Sequence, residues 1–109
     1  MSTRPLPTSM AEVRSRVNAL DDAIVPLLVE RSRCMHDAAR IKQHAHEVRD
    51  DQRIEAIVDR VRALATQQGG DPALMEALYR QMMELFIAYE MRLFAAKTQH
   101  TEPPAEVMP

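Results

Sequence analysis

Glycine is almost absent: the 109-residue chain has two, adjacent at Gly69 and Gly70. A hairpin-rich β domain needs left-handed backbone at turn after turn, usually from Gly or Asn, and this chain offers that pair and Asn18. Five of the seven prolines lie near the ends, leaving Pro26 and Pro72 inside. All-β and βαβ folds are thereby disfavoured, and a glycine-rich phosphate loop is missing. There is no Trp and a single cysteine, Cys34, so no internal disulfide can form, and no Cys/His spacing resembles a zinc site. Lys+Arg number 14 against 16 Asp+Glu, which gives no general attraction for nucleic acid or anionic membrane. No apolar run approaches the roughly 20 residues of a membrane span. Met1 to Ser9 lacks a signal-peptide core. The expectation is one all-helical, cytoplasmic domain with few breaks.

Three helices are predicted. Ser9-Met10-Ala11-Glu12 has the form of a capping box, so the first starts at Met10. Apolar residues then recur at steps of three and four: Met10, Val13, Val17, Leu20, Ile24, Leu27, Cys34, Ala38 and Ile41. The seam continues in phase past Pro26, which predicts a kink rather than a stop, and the helix runs to about His44. Gln43 to Arg49 reads as a loop. Asp50 or Asp51 caps a second helix with Ile54, Ile57, Val58, Val61, Leu64 and Ala65 on one face. Gly69-Gly70 ends it, and Asp71-Pro72 starts a third. That helix extends to about Lys97, with Leu74, Leu78, Met82, Leu85, Phe86, Tyr89 and Leu93 inward. Flexible ends are expected over residues 1–9 and 98–109.

A first helix from Met10 to about His44 is roughly 50 Å long, whereas a compact chain of this size has a radius of gyration of about 13 Å. Its seam would be left partly in water. An intertwined antiparallel homodimer is the expected remedy, and a flexible monomer exposing an apolar stripe is the alternative.

Charged residues stand where apolar ones belong. Arg31 occupies the seam between Leu27 and Cys34, and Arg14 and Lys42 border it on the stripe Arg14, Asp21, Leu28, Met35, Lys42. Arg31 and Lys42 are about 16 Å apart along the axis, and their side chains can reach toward each other, leaving a gap suited to a small dianion. Snorkelling side chains, or pairs with Glu30 or Asp37, account for any one of them, whereas three converging cations point to a site for a dianion. On the third helix Met83, Phe86, Glu90 and Phe94 share a stripe, placing a carboxyl group among apolar side chains. It is either an ion pair with Lys42 or Arg31, or a desolvated acid that donates a hydrogen bond while protonated. His44 and His46 read as solvated imidazoles, Cys34 as a small core residue, and Arg49-Asp50-Asp51 as capping mixed with solvation. Met75, Met82, Met83 and Met91 read as packing.

The order Val13-Arg14, Leu20-Asp21, Ile24-Val25, Leu28-Val29-Glu30-Arg31, Ile41-Lys42, Val48-Arg49-Asp50, Arg53 and Met82-Met83 followed by Glu90 resembles the all-helical chorismate mutases of the AroQ class. The resemblance covers about Met10 to Phe94. It implies a homodimer of three-helix protomers, two equivalent sites, a dicarboxylate substrate and no cofactor. By that resemblance Arg14 comes from the partner subunit to one substrate carboxylate and Arg31 binds the other. Lys42 serves a carboxylate and the ether oxygen, Asp50 and Arg53 order the hydroxyl and side chain, and Glu90 is the second donor to the ether oxygen. Two positions depart from the mutase pattern: Ile54 where a Glu is common, and Phe86 where a Ser is common. Both resemble the isochorismate pyruvate lyase branch, which forms salicylate and pyruvate. Glu90 and Val48-Arg49-Asp50 favour the mutase. A non-catalytic helical dimer that docks a protein through its seam is the reading from another class.

Overall fold

The first helix begins where its capping chemistry directs. The Oγ of Ser9 accepts from the Glu12 amide at 3.2 Å, as the capping box requires. The Glu12 carboxylate accepts instead from the amide of Thr8, at 2.8 Å, so two residues share the box. The computed structural model describes residues 4–100, with side chains through Lys97. It contains three α-helices, α1 (Met10–Ile41), α2 (Asp51–Gln67) and α3 (Pro72–His100), with a 3₁₀ turn at Ala45–Glu47. No strand occurs among the described residues. The residues 1–3 and 101–109 of the expected flexible ends lie outside the described ones. Of the remainder, Thr98 to His100 are helical, so α3 exceeds its expected end.

Two compact units divide between Cys34 and Met35. In the first, α1 continues as a helix through Pro26, as its unbroken seam predicts. Arg16 donates to the carbonyl of Pro5 at 2.6 Å, tying the entering segment down. None of residues 4–34 is buried. Val17, Leu20, Ile24 and Leu27 all stand exposed, Leu27 at 69 %. Cys34 is exposed too, not the core residue its spacing suggested, because this stretch has no core.

The second unit holds the end of α1, the 3₁₀ turn, α2 and α3. Helix α1 stops at Ile41, short of the expected His44. The Glu47 carboxylate captures the amides of Gln43 (2.9 Å) and His44 (2.8 Å), turning the chain out of the helix. Asp50 caps α2 by accepting from the Arg53 amide at 3.0 Å. A Schellman motif closes α2: the Gly70 amide donates to Ala65 at 2.8 Å and the Gly69 amide to Thr66 at 3.0 Å. Gly69 sits at φ 75°, which favours glycine. Asp71 then caps α3, accepting from the amide of Ala73 at 2.9 Å, with Pro72 at its first position.

Ion pairs fix the direction of the α2–α3 pair. Arg49 joins Glu84, Glu55 joins Arg80 and Arg62 joins Glu76, so numbers rise along α2 as they fall along α3. The helices are therefore antiparallel. Between them Ile54, Val58 and Met83 form one buried cluster; Ala39 of α1, Val48 before α2 and Phe94 of α3 form another. Ile87 packs against both.

Two expected faces are corrected. Leu74, Leu78 and Leu85 of α3 and Leu64 of α2 are exposed, not inward. Helix α3 is apolar on more than one side (Met82, Met83, Leu85, Phe86, Ile87), and α2 covers the side carrying Met83 and Ile87. At the end of α1, Ala39 is buried while Ile41 is exposed, one position out of phase with the expected seam.

Candidate active site

Glu90 is the only charged residue buried among those described, 4 % exposed. Its position follows from helix geometry. Met83 lies two turns before it and Phe94 one turn after, so a carboxyl group on the same stripe is carried into the apolar interior. A buried carboxylate without a partner is costly, and its partner is Lys42, whose Nζ donates to Oε2 at 2.8 Å. The two alternatives left open by the sequence were Lys42 and Arg31, and the bond observed is to Lys42. The pair is asymmetric. The Lys42 side chain is 28 % exposed and that of Glu90 only 5 %, so the ammonium stands between solvent and the carboxylate. Oε1 of Glu90 has no protein hydrogen bond among the described residues.

Lys42 reaches this point because it is the first residue beyond α1. Its amide still donates to Ala38 at 2.9 Å, continuing the helix by one bond, while its side chain turns onto α3. Lys97 Nζ donates to the carbonyls of Ala39 (2.8 Å), Arg40 (3.2 Å) and Lys42 (2.6 Å). Ile54 is buried in the cluster with Val58 and Met83. Phe86 is half-buried, one turn before Glu90 on α3.

The polar residues at the entry to α2 divide by role. Asp50 spends one carboxylate oxygen on the helix cap. The Arg53 side chain is exposed and has no ion pair among the described residues. Arg49 donates through two nitrogens to both Glu84 oxygens, each at 2.9 Å, and through a third to Asp51 at 2.9 Å. Those bonds hold the Glu84 carboxyl below the usual glutamate range and the Arg49 guanidinium above its own. Arg14 and Arg31 belong to the first unit, Arg14 exposed and Arg31 half-buried on α1.

His44 and His46 stack, with ring centroids 5.5 Å apart, and are exposed. No group of residues suited to a metal ion occurs among the described ones. No helix is long and apolar enough to cross a membrane, again among the described residues. Sequence reasoning missed Lys97 and the Arg49–Glu84 pair. The missing glycine or asparagine signal after Ile41 was the available hint that α1 is capped from elsewhere.

The chain matches the family model for chorismate mutase type II over residues 13–91. It is also similar to a chorismate mutase of Methanocaldococcus jannaschii, 29 % identical over 76 residues, which cover 69 % of this chain and 77 % of that protein.

Proposed function

The chain belongs to the chorismate mutase type II family, and from that membership we propose that it is an isomerase converting chorismate to prephenate at the Lys42–Glu90 pair. The rearrangement breaks one C–O bond and forms one C–C bond in a single cyclic shift of electrons, with no nucleophile and no net proton transfer. Two things accelerate it: holding the folded conformer of the dianion, and stabilising negative charge on the ether oxygen as the C–O bond lengthens.

The observation that carries the reading is Lys42 bonded to a buried Glu90. Lys42 supplies a cation for a carboxylate and the ether oxygen. Glu90 faces the same point and donates there in its protonated form, the only form of a carboxyl group with a hydrogen to give. Arg53 and the free oxygen of Asp50 address the polar edge of the ring, and Ile54 and Phe86 line its apolar face; Arg31 is assigned to a second carboxylate by the family resemblance alone. No cofactor takes part.

A second copy of the chain completes the site by contributing Arg14. The support is the absence of any buried residue in 4–34 together with the exposed row Val17, Leu20, Ile24 and Leu27. Such a continuous apolar row is an interaction surface, and antiparallel pairing of two copies buries it.

Ile54 also supports a second reading. Its buried apolar side chain stands where many mutases carry a glutamate, and Phe86 departs from the mutase pattern in the same way. Both fit the isochorismate pyruvate lyase reaction on the same scaffold. Purified protein given chorismate and isochorismate in parallel separates the two. Chorismate absorbance decay with the higher kcat/KM supports the mutase, whereas salicylate fluorescence with the higher kcat/KM assigns the lyase. No acceleration of either reaction rejects both.

A further inference from the structure

We propose that Lys97 is a positioning residue for Lys42, acting through the main chain at the end of α1. This rests on the mutase reading above, in which the Lys42 ammonium meets the substrate. Lys97 itself lies beyond the matched residues 13–91.

An α-helix leaves its last carbonyls without intrahelical donors, and the negative end of its dipole attracts a cation. After Ile41 there is no glycine or asparagine to close the helix on itself. The cap comes from α3. The three hydrogens of the Lys97 ammonium match its three acceptors, the carbonyls of Ala39, Arg40 and Lys42. The shortest of the three bonds, 2.6 Å, is to Lys42.

The ammonium is itself held in place. It lies 4.8 Å from the centre of the Phe94 ring, and Phe94 is packed against Ala39 and Val48. Lys97 and Glu90 are seven residues apart, two turns on one face of α3. Lys42 is thus gripped twice by the same helix face, its side chain by Glu90 and its carbonyl by Lys97. Lys97 determines where the Lys42 backbone sits, and the Lys42 ammonium inherits that position. A displacement of about 1 Å at a reacting group is enough to cost roughly 100-fold in rate.

The experiment is a double-mutant cycle on chorismate turnover with Lys97→Met, Lys42→Met and the pair, with Lys97→Arg as the conservative variant. Circular dichroism and Tm establish that each is folded at the assay temperature. Lys97→Met is expected to lower kcat/KM about 10- to 100-fold, chiefly in kcat, and Lys97→Arg to recover most of it. In the Lys42→Met background the Lys97 substitution is expected to cost nothing further. A folded Lys97→Met with kcat/KM within about twofold of the wild type overturns the proposal, as do losses that multiply in the double variant. If Lys97→Met unfolds, Lys97→Gln replaces it in the same cycle. Unfolding of both makes Lys97 a structural cap only, which also overturns the proposal.

Absence of turnover in the wild type rejects the mutase reading and leaves the positioning testable by NMR. The Glu90 carboxyl resonance is expected to move in Lys97→Met toward its place in Lys42→Met. An unchanged resonance overturns the positioning role.

Discussion

Nζ of Lys42 and Oε2 of Glu90 lie 2.8 Å apart, and the carboxylate is buried while the ammonium is partly open to solvent. This arrangement differs from the surface pairs along α2 and α3, where Arg and Glu side chains both meet water. Burial makes the pair expensive to assemble and strongly dependent on both partners. A partly exposed cation backed by a buried carboxyl group also suits a site that must accept a dianion and donate to an oxygen becoming negative.

If Glu90 donates to the ether oxygen, turnover depends on its proton. Glu90→Ala, which has no hydrogen to give there, is expected to lower kcat/KM for chorismate, while Glu90→Gln, which keeps a donor, retains turnover. Equal turnover in Glu90→Ala and the wild type would contradict donation from Glu90.

The ion pairs that α3 makes with α2 and the segment before it make stability sensitive to acid. Bonds from Arg49 hold the Glu84 carboxyl below the usual range, Arg80 does so for Glu55, and Arg80 and then Arg62 for Glu76. A carboxyl group whose pKa is lowered by folding contributes fully above its unfolded value of about 4.3 and loses that contribution as pH falls through the folded value. Tm therefore drops on acidification below about pH 4. The Tm difference between wild type and Glu84→Gln narrows there and also in high salt. A difference independent of pH and salt contradicts this role.

The two glycines are not equivalent. Gly69 sits at φ 75°, where a Cβ is disfavoured, and Gly70 has only an ordinary 3.5 Å approach from the Ala65 carbonyl to its hypothetical Cβ. Gly69→Ala is expected to cost about 1 kcal/mol and Gly70→Ala less. Chemical denaturation of the two variants measures both, and equal losses would contradict the assignment of Gly69 as the left-handed cap.

Completion of the site by a second copy is tested through the exposed row on α1. Sedimentation is expected to show the wild type as a dimer. Leu20→Glu, which places a charge in that row, is expected to give a monomer with little turnover. A fully active monomeric wild type would contradict it.

What was legible in the sequence was mostly local chemistry. Ser9, Asp50, Gly69-Gly70 and Asp71-Pro72 mark helix ends because capping involves residues within one turn of each other, and each does so in the structure. Glu90 was visible as a charge on an apolar stripe, but the choice between Lys42 and Arg31 as its partner needed tertiary structure. The buried side of α3 was misread because several of its sides are apolar, and only the packing of α2 distinguishes them. Lys97 gave no local signal at all, since its acceptors are the carbonyls of another helix. Arg49 was obscured by the acidic residues beside it, while its main partner, Glu84, lies 35 positions away.

The most direct test compares wild type and Lys42→Met in chorismate decay, with both shown to be folded. The expected result is clear acceleration by the wild type and a loss of about 100- to 1000-fold in the variant, the usual cost of removing one donor from a developing oxyanion. Equal rates in the two proteins, or no acceleration by the wild type between acid and neutral pH, would contradict catalysis at the Lys42–Glu90 pair.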